Sequence, residues 1–519
     1  MTRSAADVGA GLAPARPARR IRPGERIHVV GAAGAGASAA ALLATAAGAA
    51  VTGCDPGFPS PYTPALDAVG IAVAPAHDPV HVTGAATPPW RLAVTKALTA
   101  IDPDHPELRA AREHGIALEA WQQVVADAAV GHTLVGVAGT HGKSTSAGWL
   151  VHLLTTAGHD PSAFVGALLP GSLTGGVPAT ARRGRGAPFV VEADEYAGNF
   201  DPYRPSLAVV TSVEWDHPDV FADEAAVVAA FEAWIRRMEP GGRLVINVGD
   251  PGAAALAARL SDWAGTIVAV ALVDQAAQRL GGFARAIAEQ YATATGPASA
   301  ILARTAAADA ATTTLQLHGL DPLSGPISAR LPLVGRHNAA NALGVAASAH
   351  VLGVPAAGIV AGLASFGGVG RRLERTGEAA GVAVYDDYGH HPTAIRATIA
   401  ALRQREPGRR LWAVYEPLTF HRTAALLGAF AEALATADAV AVADIWAGRD
   451  PDTSIASPEA LASAVSAAHP DITVAAPGSV EATADWLARE VRAGDVVLVM
   501  GGGRSYVIGE RLLAALEVR

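Results

Sequence analysis

Gly139-Thr140-His141-Gly142-Lys143-Ser144-Thr145 lies between an apolar run, Leu134 to Ala138, and a helical stretch that continues through Leu154. A strand that ends in glycine and turns straight into a helix directs backbone N–H groups and the positive helix end at an anion. Lys143 adds a charge there, and the Ser144 hydroxyl can ligate magnesium. The stretch is read as a phosphate loop. Val137 stands where the general pattern has its first glycine, so the pattern is not met literally.

Acids follow at the right places. Glu192-Ala193-Asp194-Glu195 comes directly after the apolar run Phe189 to Val191, and Asp216-His217 comes shortly after Leu207 to Thr211. Magnesium prefers hard oxygen ligands and often shares them with nucleotide phosphate, so carboxylates at strand ends beside a phosphate loop suit it. His217 could complete such a shell. Standing alone, each would read as a loop acid or a capping histidine.

Working outward, the same alternation of apolar runs and helices extends in both directions, which predicts an α/β protein with mostly parallel sheets. Toward the N-terminus, Arg26 to Val30 ends at Gly31 and is followed by an Ala-rich helix and a second strand, Ala50 to Gly53. Toward the C-terminus, strands are expected at Ala383 to Tyr385, Leu411 to Tyr415, Ala439 to Ala443 and Val496 to Met500. Alternation around Thr312 to Leu317 suggests an antiparallel extension of the middle sheet. The expected division is a loose, Arg- and Pro-containing arm over 1–24 and three domains: Rossmann-like over 25–130, P-loop mononucleotide-binding over 131–333 and Rossmann-like over 334–519.

Composition limits the function classes. With 519 residues, 50% hydrophobic and 17% charged, the chain has ample apolar surface to bury and no disorder signature. A net charge of −9 with scattered basic residues offers no footprint for nucleic acid or an anionic membrane. The longest apolar stretch, Gly31 to Val51, reads as loop and helix rather than a membrane span. One cysteine, Cys54, excludes an intrachain disulfide and a cluster of thiolate ligands. A cytoplasmic protein is expected.

Taken in order, five blocks resemble the Mur ligase family. They are Gly139 to Ser144, Glu192 to Glu195 with Asp216-His217, Gly335-Arg336-His337-Asn338-Ala339-Ala340-Asn341, Gly370-Arg371-Arg372, and Asp386-Asp387-Tyr388-Gly389-His390-His391-Pro392. The resemblance implies an ATP- and magnesium-dependent ligase that activates a carboxylate as an acyl phosphate and forms an amide. It implies ATP held by Gly139 to Thr145, His337, Asn338, Asn341, Arg371, Arg372, Asp386 and Asp387, magnesium held by Ser144, Glu192 and His217, and Lys143, Glu192, His217 and Arg372 as the catalytic set. Tyr-Gly-His-His-Pro and the loop Gly31-x-x-Gly34-x-Gly36-x-Ser38 are most similar to the members that join L-alanine to UDP-N-acetylmuramate. By the same resemblance, Gly31, Gly34, Gly36, Ser38 and Asp55 would hold the UDP substrate, and Tyr388, His390, His391 and Arg422 the amino acid.

Departures bear mainly on the amino acid. In Glu416-Pro417-Leu418-Thr419-Phe420-His421-Arg422-Thr423 the Arg matches, but Leu418 stands where those members have a histidine, and leucine has no hydrogen bond to give. His421 is a candidate substitute. Ala33 and Arg504 also depart from the pattern, the latter reversing an expected charge. The related members that attach a tripeptide to the same sugar are the near alternative, suggested by Glu416-Pro417. A regulatory nucleotide-binding protein without turnover is a second, set against intact Lys143, Ser144, Glu192 and His217. A dehydrogenase, read from the first glycine loop alone, leaves the second loop unexplained.

Overall fold

The computed structural model describes residues 3–84, 88–273, 277–296, 298–320, 325–448, 450 and 452–518. Among the described residues, three sheets form an α/β architecture, as expected from the alternation. The first has five parallel strands in spatial order Ala72–Ala74, Ala50–Cys54, Arg26–Val30, Arg91–Val94 and Ala117–Ala120. Strand order reverses beside Arg26–Val30, and in such sheets ligands gather at the carboxyl end of that switch point. Gly31 begins the loop there, with φ of 88°, a left-handed value that glycine adopts without strain.

The middle sheet has ten strands. Its parallel centre places Thr133–Ala138 between Leu207–Val210 and Pro188–Glu192. The flanking strands are wholly buried, which is why they read as continuous apolar runs. The antiparallel extension is present: Thr313–His318 pairs with Ser299–Ala308 and with Ile327–Leu331. The third sheet runs Glu374–Ala379, Val382–Asp387, Val496–Gly501, Leu411–Glu416, Ala439–Ala443 and Thr473–Gly478, parallel except for its first pair.

Two features differ from the expected division. The helix Arg336–Val351, assigned to the head of the third domain, packs instead with Ala356–Ala364 on the middle sheet. Ala339, Ala342, Leu343, Ala346 and Ala347 join the core of helix Lys143–Thr156, because alanines at helical spacing let that helix approach closely. The N-terminal arm is docked rather than loose. Arg16 forms paired hydrogen bonds to Glu119 at 2.7 and 3.1 Å and to Asp127 at 3.0 and 2.7 Å, and Arg19 reaches Glu25 at 2.7 Å.

Those arm contacts complete a buried charge network. Arg91, 2% exposed, lies 3.0 Å from Glu25, 2.6 Å from Glu119 and 2.6 Å from Asp127. Three carboxylates are thus balanced by Arg16, Arg19 and Arg91, and the arm supplies two of those cations. Against burial, Arg19 and the other partners hold the Glu25 carboxyl down at about 2. Breaking a buried pair by removing one partner costs about 3–5 kcal/mol, because the remaining charge is uncompensated. Arg91→Ala should therefore lower stability by roughly that amount in urea unfolding, and a loss under ~1 kcal/mol, as for a surface pair, would show that the network is solvated.

Candidate active site

The carboxyl ends of strands from all three sheets meet at one cleft. Its central cavity of about 330 Å³ is lined by Gly36 and Trp121 of the first domain, the loop Thr140 to Thr145 with Glu192 and His217 of the second, and Arg372, Tyr388 to His391 and Arg422 of the third. Every block singled out in the sequence has a residue in this cavity or in its neighbour. The neighbouring cavity, about 240 Å³, is lined by His337, Asn338 and Asn341 together with Gly142 and Asp387.

The phosphate loop follows from two glycines. Gly139 has φ of 132°, and a Cβ there would run into Thr211 and Ser212. Gly142 has φ of 80° and caps helix Lys143–Thr156 with no side-chain hydrogen bond, which leaves the helix N-terminus free to receive an anion. A Cβ at Gly142 would strike the Asn341 carboxamide. Loop and Asn-bearing helix are therefore fitted to each other, and this fit places the helix on the middle domain.

Lys143 Nζ lies 2.9 Å from Glu195 Oε2 and 3.5 Å from Asp194 Oδ1. Burial opposes its charge, but Glu195 and Asp194 outweigh burial and hold the ammonium pKa well above its ordinary value. Burial also raises the Glu195 carboxyl, against the pull of Lys143. Ser144 Oγ donates to Glu192 Oε1 at 3.0 Å, and the other Glu192 oxygen accepts from Gly166 N at 2.6 Å. A Cβ at Gly166 would sit 2.8 Å from Glu192, so a side chain there would displace that carboxylate.

His217 does not join Ser144 and Glu192 directly. Its ring groups with Asp194 and Glu195, with Nε2 3.9 Å from Glu195 and Nδ1 3.1 Å from Arg422 Nη2. Ser144 and Glu192 form an oxygen pair suited to magnesium, and Asp194, Glu195 and His217 form a second ligating group in the same cleft.

Two adjacent arginines divide their work. Arg371 turns away: it donates to Asp386 at 2.8 Å, to Gly501 O at 3.0 Å and to Ser505 at 2.8 Å, and lies against the rings of Tyr388 and Tyr506. Burial pushes the Asp386 carboxyl up to about 6 despite Arg371. Arg372 faces the cleft and donates to Ser144 Oγ across the domain seam at 2.9 Å. Asp387 accepts from Leu373 N at 2.8 Å and Gly389 N at 2.7 Å, and so shapes the turn that carries Tyr388 and His390.

The remaining expected residues fall into two groups. Burial, then Arg422, pushes His390 well below its usual range, and burial lowers His391. His391 also caps helix Pro392–Arg405. Arg422, 2% exposed, donates to Asp216 at 2.7 Å, while its Nη1 is buried with no hydrogen-bond partner among the described residues. Leu418 lines the same cavity. His421 is no substitute for the missing histidine, because it turns to Asp450 at 3.2 Å. Arg504 pairs with Glu481 at the surface. In the first domain, Asp55 holds the glycine loop by accepting from Ala33 N at 2.9 Å, and Ser38 bonds Thr180 across the first domain seam at 3.0 Å.

Sequence reading missed Trp121, which packs on Gly36, and Gly166. It also passed over Glu214, which accepts from His141 at 2.8 Å and Thr393 at 2.7 Å and so joins the second and third domains. Its position, two residues before Asp216, was the available signal.

Known proteins resemble this chain along most of its length. Residues 26–133 match the model described as Mur ligase family, catalytic domain; 137–349 match the Mur ligase middle domain; and 371–503 match the Mur ligase, glutamate ligase domain. The chain is 37% identical over 502 residues to a UDP-N-acetylmuramate–L-alanine ligase of Mycolicibacterium vanbaalenii, covering 95% of this chain and 97% of that one. It is 38% identical over 521 residues to the enzyme of the same name from Frankia casuarinae, covering 95% and 98%. The crystal structure of a UDP-N-acetylmuramate-alanine ligase from Thermotoga maritima shares the fold, with TM-score 0.73 at 21% identity over 94% of this chain and 98% of that one. The chain belongs to the Mur ligase family.

The two arginines yield a separable expectation. Arg371→Ala strands Asp386 and should lower the thermal midpoint with a stability loss of about 3–5 kcal/mol. Arg372→Ala should leave the midpoint near that of the parent and weaken ATP binding in calorimetry. The reverse pattern would exchange their assignments.

Proposed function

We propose that the protein joins L-alanine to the lactyl carboxylate of UDP-N-acetylmuramate, with ATP converted to ADP and phosphate, as a step in making peptidoglycan precursor. The observation that carries this reading is the single cleft in which a phosphate loop, a carboxylate-bearing oxygen pair and a buried arginine with an unpartnered Nη1 meet. The curated relatives named for alanine ligation cover nearly the whole chain at 37–38% identity and support the same choice.

ATP would lie with its adenine in the smaller cavity beside His337, Asn338 and Asn341 and its phosphates along Gly139 to Thr145. Burial pushes His337 down to about 4, so it is neutral at physiological pH and adds no charge beside the base. Ser144 and Glu192 would hold magnesium, which supplies charge neutralisation on the transferring phosphoryl group. Lys143 and Arg372 add fixed positive charge there. The γ-phosphoryl group passes to the muramate carboxylate, the amine of alanine attacks the acyl carbon, and phosphate departs as the C–N bond forms; the amine proton goes to solvent or phosphate.

The first domain would bring the UDP-sugar across on Gly31, Gly34 and Gly36, whose loop leads into the uncapped helix Ala35–Ala46. Arg422 Nη1 is the free donor for the amino acid's carboxylate. His390, kept neutral, adds no second cation beside it. Leu418 removes one polar group from this half-site, and a missing hydrogen bond to a charged ligand costs on the order of 1.5–3 kcal/mol.

Lys143→Ala should reduce amide formation by roughly 10²–10³-fold, the loss typical of one group aimed at developing charge, while circular dichroism stays that of the parent. Glu192→Gln should raise the magnesium concentration needed for turnover. Near-normal ligation by both folded variants would remove the reading. For substrate choice, L-alanine should outcompete glycine, L-serine and the alanyl-glutamyl-diaminopimelate tripeptide in phosphate release, with Leu418→His lowering the alanine KM. Ligation of the tripeptide alone would instead identify a recycling enzyme.

A further inference from the structure

The first domain buries a second set of ligating side chains, away from the cleft, on the sheet face covered by helices Val80–Thr83 and Pro106–Glu113. His28 on strand Arg26–Val30, Cys54 at the end of strand Ala50–Cys54, His81 on the first of these helices and Glu107 in the first turn of the second bring one donor atom each within 4.8 Å of one another. His28 Nε2 lies 3.1 Å from Glu107 Oε1 and 3.3 Å from Cys54 Sγ. His81 Nδ1 lies 2.9 Å from Glu107 Oε1, and Cys54 Sγ lies 3.3 Å from Glu107 Oε2. Bonds of ~2.0–2.3 Å to a tetrahedral ion put its ligand atoms roughly 3.3–3.7 Å apart, so small adjustments suffice to seat one.

We propose that His28, Cys54, His81 and Glu107 form a zinc site that braces the first domain. Sulfur, imidazole nitrogen and carboxylate oxygen together are the donor set of a borderline-soft divalent ion, whereas magnesium takes oxygen. Charge agrees: a divalent cation against one thiolate and one carboxylate leaves a neutral buried unit, with the Cys54 proton released to solvent as the metal binds. Orientation agrees as well. His28 Nδ1 is bonded to Thr52 Oγ1 at 2.7 Å, and this outer contact fixes the ring with Nε2 toward the cluster.

Access and consequence follow from the surroundings. His28, Cys54 and Glu107 are 3%, 0% and 0% exposed. His77 and His81, with side chains 12% and 17% exposed, form the side through which an ion would enter, and His77 Nδ1 stands 3.1 Å from Cys54 Sγ. The Cys54 carbonyl accepts from Gly31 N at 2.8 Å and Ala32 N at 3.1 Å. Bound metal would therefore stiffen the origin of the glycine loop. This site stands independently of the ligase reading.

Cys54 is the sole cysteine, so any thiolate-to-cobalt charge-transfer band must come from it. The full chain, stripped with chelator and kept in excess magnesium to fill oxygen sites, should take up about one equivalent of Co²⁺ with that band, and Zn²⁺ should displace it. Zinc should also protect Cys54 from alkylation and raise the thermal midpoint. Thr52→Val, which releases the His28 ring, should weaken Co²⁺ binding roughly tenfold. Cys54→Ser should abolish the band, and Glu107→Gln should lower metal uptake. If those variants fail to fold, the parent's band and alkylation protection decide alone. A folded parent with no band and no protection overturns the site, and so does metal uptake that is unchanged in folded Cys54→Ser and Glu107→Gln.

Discussion

The buried contact between Arg422 and Asp216 sets the relation of the third domain to the second, and the cleft exists only in that relation. Arg422 comes from the segment after strand Leu411–Glu416, Asp216 from the segment after Leu207–Val210, and both are nearly excluded from solvent. Burial opposes each charge; Arg422 nevertheless holds Asp216 well below the usual carboxylate range, and Asp216 raises Arg422 in turn. A pair of this kind fixes geometry more than it adds stability, because desolvation offsets much of its attraction. Two weaker bridges, Arg372 to Ser144 and Thr393 to Glu214, keep the same register.

On the other side, apolar packing does the equivalent work. The helix Ala35–Ala46 lies against strand Ala179–Arg182 at the edge of the middle sheet, and the Trp121 ring meets Phe164 of that sheet edge-on, with ring centroids 5.3 Å apart. Small residues let these surfaces approach, and the first domain thereby shares one continuous core with the second. The cleft is held by charge on one flank and by close packing on the other. Disrupting the charged flank should therefore free the third domain more readily than the first.

Much of this was legible in the sequence where function sits in contiguous residues. Gly139 to Thr145, Glu192 to Glu195 and His337 to Asn341 occupy strand ends or a helix start, and local pattern places them. What could not be read depends on partners far along the chain. Nothing in Arg371-Arg372 distinguishes the arginine bound to Asp386 from the one that crosses to Ser144. An alanine-rich helix such as Arg336–Val351 fits either neighbouring sheet by pattern alone, and its packing against helix Lys143–Thr156 selects the middle one. The arm looked loose because Arg and Pro are common in disordered termini, whereas here its cations complete an acid cluster some hundred residues away.

The cations of the cleft already have internal partners, and this bears on how substrates enter. Lys143 is held by Glu195, Arg372 by Ser144, and Arg422 by Asp216. On the proposed assignment, phosphate at Lys143 would compete with Glu195, and a carboxylate left bare in a buried site would cost several kcal/mol. Burial raises the Glu195 carboxyl against the pull of Lys143, so loss of that partner would favour its protonated form. Arg422 needs no such exchange, since Nη1 stands free while Nε keeps Asp216. On that assignment, the nucleotide site would need a partner switch, and the amino-acid site only addition to a donor already in place.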